Sequence, residues 1–382
     1  MIRLLTVVGA RPQFIKSAAI SRTIREEFSN RLEEQILHTG QHYDSNMSAV
    51  FFDELGIPQP HFQLHVGSGQ HGEQTAKMIT GIEEVLMRES FDGVLVYGDT
   101  NSTLAGALAA SKLHLPVFHV EAGLRSFNMA MPEEINRIVC DQVSSILFAP
   151  TETAMRNLRA EGFGSRPVTF AKGRRQEVYQ SGDIMLDNSL HYATVSAECT
   201  DIIARNGLRK ADYILATIHR DINTDDPVRL TAIFRAIVEV AESRQIRVVL
   251  PLHPRTAKLM RQQVEPDVLH RFTDSPYITL LPPASFFEMI ELERNARLVL
   301  TDSGGVQKEA FFFGKPSVIL RPETEWTEIV EHHAGLLADA DYTRILSACE
   351  TLLNTHFKYP PLFGDGHAAR FILERLIAYL TE

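Results

Sequence analysis

The chain has little of what marks secreted, metal-stabilised or nucleic-acid-binding proteins. Its three cysteines, Cys140, Cys199 and Cys349, are far apart and form no C-x-x-C pair, which argues against a disulfide framework or a zinc site. The formal net charge of −10 lacks the basic excess that general nucleic-acid binding requires. No apolar run approaches the ~18 residues of a membrane span, and the N-terminus reads as a buried strand rather than a signal peptide. We therefore expect a cytoplasmic protein without a nucleic-acid or membrane partner.

What is present indicates an α/β protein of two domains. Hydrophobic residues make up 44% and charged residues 23% of the 382 residues, as in ordinary globular proteins. Because domains usually contain ~100–200 residues, we expect two domains in a chain of this length. Short apolar runs alternate with helical patterns through both halves, which predicts doubly wound parallel sheets. Residues 162–180 lose this periodicity and gather Gly, Arg and Lys. We predict one domain over 1–170, joined by the C-terminal helix within 361–382, and a second over 171–360.

Two apolar runs, Val94–Tyr97 and Val117–Val120, flank a segment of small residues and predict a strand–helix–strand unit. Strands joined in this way are parallel neighbours. Asp99 and Glu121 follow the two strands, so both leave the carboxyl edge of the sheet, where ligands bind in such folds. Glu133, at a predicted helix start, adds a third carboxylate. Carboxylates that converge on one crevice can differ in pKa, which suits proton transfer. The alternative is that Asp99 and Glu121 only cap helices.

A predicted anion site follows the first strand, Leu4–Val8. The chain turns at Gly9–Pro12 and begins a helix with Lys16 in its first turn. Backbone N–H groups at a helix start favour anions, and Arg11 and Lys16 add positive charge at the same place. This pattern indicates a phosphate site without a P-loop. The alternative is that each of the two basic residues is only a surface charge.

Two histidines, His38 and His42, lie where the next predicted strand, Glu34–His38, ends. Histidines four residues apart share a metal when they lie on one helix. Here Gly40 separates them, so the pattern predicts a loop and no metal site. A helix is predicted to follow over Tyr43–Leu55.

In the second half most predicted strands end in loops rich in Pro, His, Arg or Gly. Ser303–Gly305 separate one strand from a predicted helix, Val306–Phe313. Glycines there let a backbone approach a ligand, and the helix start can hold a diphosphate without a metal. Glu309 on this helix can accept hydrogen bonds from ribose hydroxyls. The alternative is a tight turn with a solvated glutamate. His219, at another strand end, is either a site residue or an ordinary loop or core histidine.

Seven motifs contain most of these candidates. They are Gly9-Ala10-Arg11-Pro12, His38-Thr39-Gly40-Gln41-His42, Gly98-Asp99-Thr100, His119-Val120-Glu121-Ala122-Gly123-Leu124-Arg125, Pro132-Glu133-Glu134-x-Asn136-Arg137, Thr217-x-His219-Arg220 and Thr301-Asp302-Ser303-Gly304-Gly305-x-Gln307-x-Glu309. In this order, over nearly the whole chain, they resemble the non-hydrolysing UDP-N-acetylglucosamine 2-epimerases. The resemblance implies two Rossmann-like domains that face each other across a cleft, as in GT-B glycosyltransferases, with UDP in the cleft. It also implies a homodimer and a reaction without a cofactor or metal.

The resemblance also implies roles for individual residues. It makes Asp99, Glu121, Glu133 and His219 the catalytic group. The implied UDP-sugar contacts are Arg11, Lys16, Arg137, His253, Ser303, Gly304, Gly305 and Glu309, the last on the ribose. The implied reaction removes the C2 proton and eliminates UDP to give a glycal. UDP then adds back while a proton is delivered to the other face of C2. A C2 hydrogen is very weakly acidic, so this chemistry needs a positioned base and an opposed acid.

Three departures from the family pattern favour one branch. Trp326 and Ile222 stand where an arginine and a glutamate are usual, and the loop Ser126–Met131 is short. These features look like the enzymes that act on UDP-2,3-diacetamido-2,3-dideoxy-glucuronate and make the mannuronate epimer for O-antigen in lipopolysaccharide. Glu121–Leu124 lacks the Glu-Gly-Gly-Glu pattern of the hydrolysing relatives. The alternatives are a UDP-N-acetylglucosamine 2-epimerase, a GT-B glycosyltransferase and a nucleotide-sugar sensor.

Overall fold

The computed structural model describes residues 1–40, 52, 56–165 and 167–382. Its contacts divide the chain into two compact units, the first formed by Met1–Asn188 with Pro361–Glu382 and the second by Ser189–Pro360. His42 and, apart from Phe52, the helix predicted over 43–55 lie outside the described residues.

The first unit is built on a seven-stranded parallel sheet. Its strands are β1 (Ile2–Val8), β2 (Leu32–His38), β3 (Phe62–Gln63), β4 (Gly93–Tyr97), β5 (Val117–Val120), β6 (Ile146–Ala149) and β7 (Glu177–Gln180). They lie side by side in the order β3-β2-β1-β4-β5-β6-β7. The order reverses between β1 and β4, and a ligand crevice forms at the carboxyl ends of the strands at such a point. The aligned pairs Val94 with Val117 and Tyr97 with Val120 bring the residues after β4 and β5 to one edge.

In the described residues, helices follow most of these strands, and the last of them leads into the second unit. They are α1 (Arg11–Thr23), which continues into a π-helical turn (Ile24–Phe28), α2 (His71–Arg88), α3 (Asn101–Lys112), α4 (Pro132–Val143), α5 (Glu152–Ala160) and α6 (Ile184–Cys199), with a 3₁₀ turn at Ala171–Gly173. α3 is rich in small residues, which allows it to lie close to the sheet. Gly9 shows how close this approach is, since a Cβ there would lie 2.0 Å from Oγ of Ser102.

The second unit has a six-stranded parallel sheet. Its strands are β8 (Tyr213–Thr217), β9 (Arg247–Pro251), β10 (Ile278–Leu281), β11 (Leu298–Thr301), β12 (Ser317–Ile319) and β13 (Gly335–Leu337). The order is β10-β9-β8-β11-β12-β13, so it reverses between β8 and β11. Its helices are α7 (Ile202–Arg205), α8 (Asp221–Thr224), α9 (Pro227–Arg244), α10 (Pro254–Gln263), α11 (Pro266–Asp274), α12 (Phe286–Asn295), α13 (Gly304–Phe312), α14 (Thr327–Glu331) and α15 (Tyr342–Leu353).

The last helix, α16 (Ala368–Thr381), packs on the first unit. The buried carboxylate of Asp187 accepts the N–H groups of Ala368 and Ala369, at 3.1 and 2.8 Å, and so fixes the start of the helix. The division between the units therefore falls after residue 188, later than the predicted boundary at 170. The difference arises because β7, which lies beyond residue 170, pairs with β6 and so extends the first sheet past the predicted boundary.

The predicted strand Val117–Val120 is confirmed to the residue, and the predicted run Val94–Tyr97 lies within β4. In the parts of the chain that the structure describes, no helix is both long and apolar enough to cross a membrane.

Candidate active site

Asp99 and Glu121 meet at the carboxyl edge of the first sheet, each held by its own cation. Arg137 of α4 donates to Oδ2 of Asp99, and Nζ of Lys16 on α1 donates to Oε2 of Glu121. The pKa of Asp99 is raised, mainly because the group is shielded from water and also because Glu121 is near, while Arg137 and Lys16 oppose the rise. A carboxylate with a raised pKa, next to a second one, is an arrangement that can exchange a proton.

The helix-capping alternative for these two carboxylates is wrong. The N-cap of α3 is Thr100, whose Oγ1 accepts the Thr103 N–H at 3.3 Å. Glu121 lies in a loop and has a backbone φ of +73°, a left-handed conformation that is costly for a residue other than glycine. The carbonyl of Phe148 accepts the N–H groups of Glu121 and Ala122, both at 3.0 Å, and so fixes this conformation.

The adjacent glutamates at the start of α4 have different surroundings. Glu134 is buried and accepts the backbone N–H groups of Ser126 and Phe127, both at 2.9 Å, as well as Nη1 of Arg137. These bonds lower the pKa of Glu134 against the effect of burial, and they fix the start of the short loop after Arg125. Glu133 is exposed. Glu134 is therefore a structural residue, and Glu133 is the one of the two that remains available to a ligand.

A cavity of about 470 Å³ opens beside these groups, within the first unit. It brings together Asp99, Glu133 and Arg11 of the predicted site residues. Four polar residues without a predicted role, His71, Thr100, Asn101 and Asn136, also line it. Among the described residues, no group of three or more His, Cys, Asp or Glu is arranged to hold a metal.

The predicted anion site after β1 differs from the structure in its backbone donors. The helix begins at Arg11, so Lys16 lies in its second turn rather than its first. Oε1 of Gln13 accepts the N–H groups of Gly9 and Ala10, at 2.8 and 3.1 Å. Positive charge at this place comes instead from side chains. The surface-charge alternative is wrong for Lys16, which is largely buried in its ion pair with Glu121.

A buried aspartate that the sequence did not reveal organises the loop after β5. Asp141 of α4 is fully buried, accepts the Gly123 N–H at 3.1 Å and pairs with Arg125 at 2.7 Å. It also contacts the ring of His119 on β5. The pKa of Asp141 is lowered, because its bonds to His119 and Arg125 outweigh the burial that would raise it.

In the second unit, His219 is oriented by Asp302. Asp302 follows β11, is fully buried, and accepts Nδ1 of His219 at 3.1 Å together with the backbone N–H groups of His219 and Arg220. Nδ2 of Asn223 donates to the same carboxylate at 3.1 Å. These bonds lower the pKa of Asp302 although burial would raise it. The ring of His219 is half exposed, so its other nitrogen can reach a ligand. Asp302 stood in a quoted motif but had no predicted role.

The residues after Asp302 form a helix start rather than a tight turn. α13 begins at Gly304, two residues before the predicted start, and Ser303 is its N-cap, accepting the Val306 N–H at 3.4 Å. A Cβ at Gly304 would have no neighbour closer than 3.7 Å, so packing within the protein does not require this glycine. The first N–H groups of a helix have no partner inside it. Those of Gly304 and Gly305 are thus placed to bind an anion.

Glu309 lies on α13 beside Glu293, a buried residue of α12. The pKa of Glu293 is raised well above its usual value, by burial and by Glu309. The two carboxyl groups are therefore close together. This contact excludes the alternative of a solvated glutamate.

Two other residues singled out in the sequence have local contacts. His253 caps α10, with Nδ1 accepting the Arg255 N–H at 3.3 Å. Trp326 is buried, and its ring lies 4.0 Å from the ammonium of Lys308. The ring of Trp326 covers the ammonium of Lys308, whereas the arginine that is usual at this position would add a second positive charge.

Comparisons with known proteins show what the whole chain is similar to. The model of a family described as UDP-N-acetylglucosamine 2-epimerase matches residues 25–377. The UDP-2,3-diacetamido-2,3-dideoxy-D-glucuronate 2-epimerase of Pseudomonas aeruginosa is 47% identical over 376 residues, which are 98% of this chain and 99% of the relative. The UDP-N-acetylglucosamine 2-epimerase of Methanocaldococcus jannaschii is 39% identical over 382 residues, 100% of this chain and 99% of the relative. A crystal structure of the Methanocaldococcus jannaschii enzyme with UDP-GlcNAc and UDP has a TM-score of 0.81 at 38% identity, covering 99% of this chain and 100% of that one. The predicted fold class, two Rossmann-like sheets of the GT-B type, is confirmed.

Proposed function

Because the chain belongs to the UDP-N-acetylglucosamine 2-epimerase family, we propose that it inverts C2 of a UDP-2-acetamido sugar. The observation that carries this proposal is the pair of carboxylates, Asp99 and Glu121, each held by a cation at the ligand edge of the first sheet. Glu133 and His219 complete the proposed catalytic group. A nucleotide-sugar sensor would need the binding residues but not this set of proton carriers.

We propose UDP-2,3-diacetamido-2,3-dideoxy-glucuronate as the substrate and the mannuronate epimer as the product. The support is the 47% identity to the Pseudomonas aeruginosa enzyme of that name and the short loop Ser126–Met131. UDP-N-acetylglucosamine is the second candidate, since the Methanocaldococcus jannaschii relative at 39% identity carries that name.

The proposed reaction begins with transfer of the C2 proton to a carboxylate of the first unit. The electron pair of the C2–H bond forms a C1=C2 double bond. The C1–O bond breaks at the same time, and UDP leaves with the electron pair of that bond. The product is a glycal. In the second half of the reaction UDP attacks C1, and the double bond accepts a proton at the opposite face of C2. The C2 centre is thereby inverted. The raised pKa of Asp99 suits this residue to hold a proton between the two halves of the reaction.

The departing UDP requires positive charge and oriented dipoles. We assign the diphosphate to the N–H groups of Gly304 and Gly305 with Ser303, and the ribose to Glu309. Arg11, Lys16, Arg137 and His253 are proposed as further UDP-sugar contacts. Two of them, Lys16 and Arg137, also hold the catalytic carboxylates through their ion pairs.

The deciding experiment is incubation of the protein in D₂O with each of the two UDP-sugars, with C2 followed by NMR. We expect deuterium at C2 and a second epimer with the diacetamido-glucuronate. Absence of exchange with both sugars would exclude epimerisation, and exchange with UDP-N-acetylglucosamine alone would transfer the assignment to the second candidate. A GT-B glycosyltransferase would leave the C2 hydrogen in place.

We also propose a cytoplasmic homodimer that acts in O-antigen synthesis. The support is the family resemblance together with the 47% identity to the Pseudomonas aeruginosa enzyme. Light scattering coupled to size-exclusion chromatography tests the dimer.

A further inference from the structure

A histidine that the proposed reaction does not use lies in the interior of the first unit. His119 of β5 is fully buried. Its Nε2 lies 2.8 Å from the carbonyl oxygen of Gly98, and its Nδ1 lies 2.7 Å from Oδ1 of Asp141. A backbone carbonyl can only accept a hydrogen bond, and so can an ionised carboxylate. Both ring nitrogens therefore donate, and the buried ring is an imidazolium.

The surroundings of the ring are consistent with a full charge. Asp141 also accepts from Arg125 and from the Gly123 N–H, as an ionised carboxylate does. Burial alone would lower the pKa of His119, but Cys140 and Asp141 raise it well above its usual value. A neutral ring would have only one N–H, and it would leave either Gly98 or Asp141 without its donor.

The carbonyl that His119 holds belongs to the peptide that leads directly to Asp99. Gly98 has a φ of +63°, which favours glycine, and its N–H donates to Val120 at 3.0 Å. A Cβ on Gly98 would lie 3.1 Å from Nζ of Lys16 and 3.3 Å from Oε2 of Glu121. The turn at Gly98 is thus packed against the ion pair of Lys16 and Glu121. A shift of this turn would therefore move both Asp99 and Glu121.

We propose that His119 is a positioning residue that aligns the catalytic carboxylate of Asp99 through the carbonyl of Gly98, while Asp141 keeps the ring charged and oriented. The inference rests on the proposed epimerase function, whose catalytic group it supports. His119 does not touch substrate in this role. It acts by fixing the peptide group that directly precedes Asp99.

Two conservative variants separate this role from a purely structural one. In His119→Gln the amide nitrogen reaches the position of Nε2 and keeps the bond to Gly98, whereas in His119→Asn it reaches that of Nδ1 and keeps the bond to Asp141. We expect kcat for C2 exchange to fall about 10–100-fold in His119→Asn, the loss typical of small misplacement of a catalytic group. His119→Gln should retain kcat within about fivefold, yet be the less stable of the two, since it leaves Asp141 without its imidazolium partner. UDP affinity should be unchanged in both.

The matched control is Val117→Ala, at the opposite end of the same strand. Val117 is fully buried, so its truncation lowers the melting temperature without contact with the turn at Gly98, and kcat should stay at the wild-type value. Equal loss of kcat in both histidine variants, or a comparable loss in Val117→Ala, would show that His119 only stabilises the fold. Absence of C2 exchange in the wild-type protein would instead refute the proposed function.

A measurement on the wild-type protein keeps the inference testable if a variant does not fold. In long-range ¹H–¹⁵N spectra of protein labelled with ¹⁵N-histidine, both ring nitrogens of His119 should carry a proton at pH 7. A spectrum of a neutral tautomer at pH 7 would overturn the assignment of the imidazolium, and with it the proposal.

Discussion

Replacing Asp302 by asparagine tests how the second unit prepares His219. In the wild-type protein Oδ1 of Asp302 accepts Nδ1 of His219 at 3.1 Å, and Oδ2 accepts the Arg220 N–H at 3.0 Å and Nδ2 of Asn223 at 3.1 Å. Asparagine keeps the shape but turns one acceptor into an NH₂ donor. Whichever way the amide is oriented, a donor then faces another donor in a buried site.

The expected loss of stability follows from the number of donors left without an acceptor. One buried donor without a partner costs about 1–3 kcal/mol. A domain with a free energy of unfolding of about 5–15 kcal/mol remains folded after such a loss at 25 °C. The expected loss of activity is larger, because the neutral amide no longer fixes which ring nitrogen of His219 carries the proton. Loss of an orienting carboxylate lowers kcat by about 10⁴ in the serine-protease triad, and we expect about 10²–10⁴ in Asp302→Asn.

The assay is the rate of C2 deuterium exchange at 25 °C, with circular dichroism to show that each variant is folded and calorimetry to measure UDP binding. The control is Asp339→Asn, which removes a carboxylate of the same unit that pairs with Arg229 at 2.5 Å. The control should lose stability and keep its rate. If folded Asp302→Asn exchanged C2 within about threefold of the wild-type rate, or if Asp339→Asn lost as much activity, the proposed orientation of His219 by Asp302 would be refuted.

Three further predictions concern other parts of the protein. Asp99→Asn should lose C2 exchange and keep UDP affinity in calorimetry; a loss of affinity instead would remove the support for its catalytic role. Gly304→Ala should leave the melting temperature equal or slightly higher, since alanine favours a helix by about 1 kcal/mol, while UDP affinity falls about tenfold; unchanged affinity would exclude the diphosphate site at α13. Burial raises the pKa of Asp187 from 3.8 to about 6 in the fold, so its contribution to stability is complete below about pH 4 and is lost as the pH rises through 6. The difference in unfolding free energy between the wild-type protein and Asp187→Asn should therefore shrink by about 3 kcal/mol from pH 4 to pH 7 in urea titrations, and a difference independent of pH would contradict the raised pKa.

The strands were predictable because each central strand is an apolar run that both faces of a parallel sheet bury. β5 coincides with its predicted bounds for this reason. β3 and β13 were missed, since strands of two and three residues at the sheet edges carry too few side chains to form a pattern. The start of α13 was misplaced because two glycines normally argue against a helix, whereas here the N-cap Ser303 stabilises the first turn.

The residues that support the site were harder to predict than the candidates themselves. Asp99 and Glu121 follow strands, and that position is visible in the sequence. Glu133 and Glu134 are adjacent and of the same type, and only the path of the loop Ser126–Met131 determines that Glu134 is enclosed by backbone N–H groups. Asp141 lies in the middle of a helix, and its partner His119 is 22 residues away, so no local pattern connects them.

The two units contain the same chemical pair in different surroundings, which explains why one histidine is proposed for catalysis and the other for positioning. In each unit a buried aspartate contacts Nδ1 of a histidine, Asp141 with His119 and Asp302 with His219. His119 is 0% exposed, and its second nitrogen is taken by a backbone carbonyl, so the proton it holds cannot reach a substrate. The side chain of His219 is 51% exposed. The same aspartate–histidine pair can therefore exchange a proton with a ligand only in the second unit.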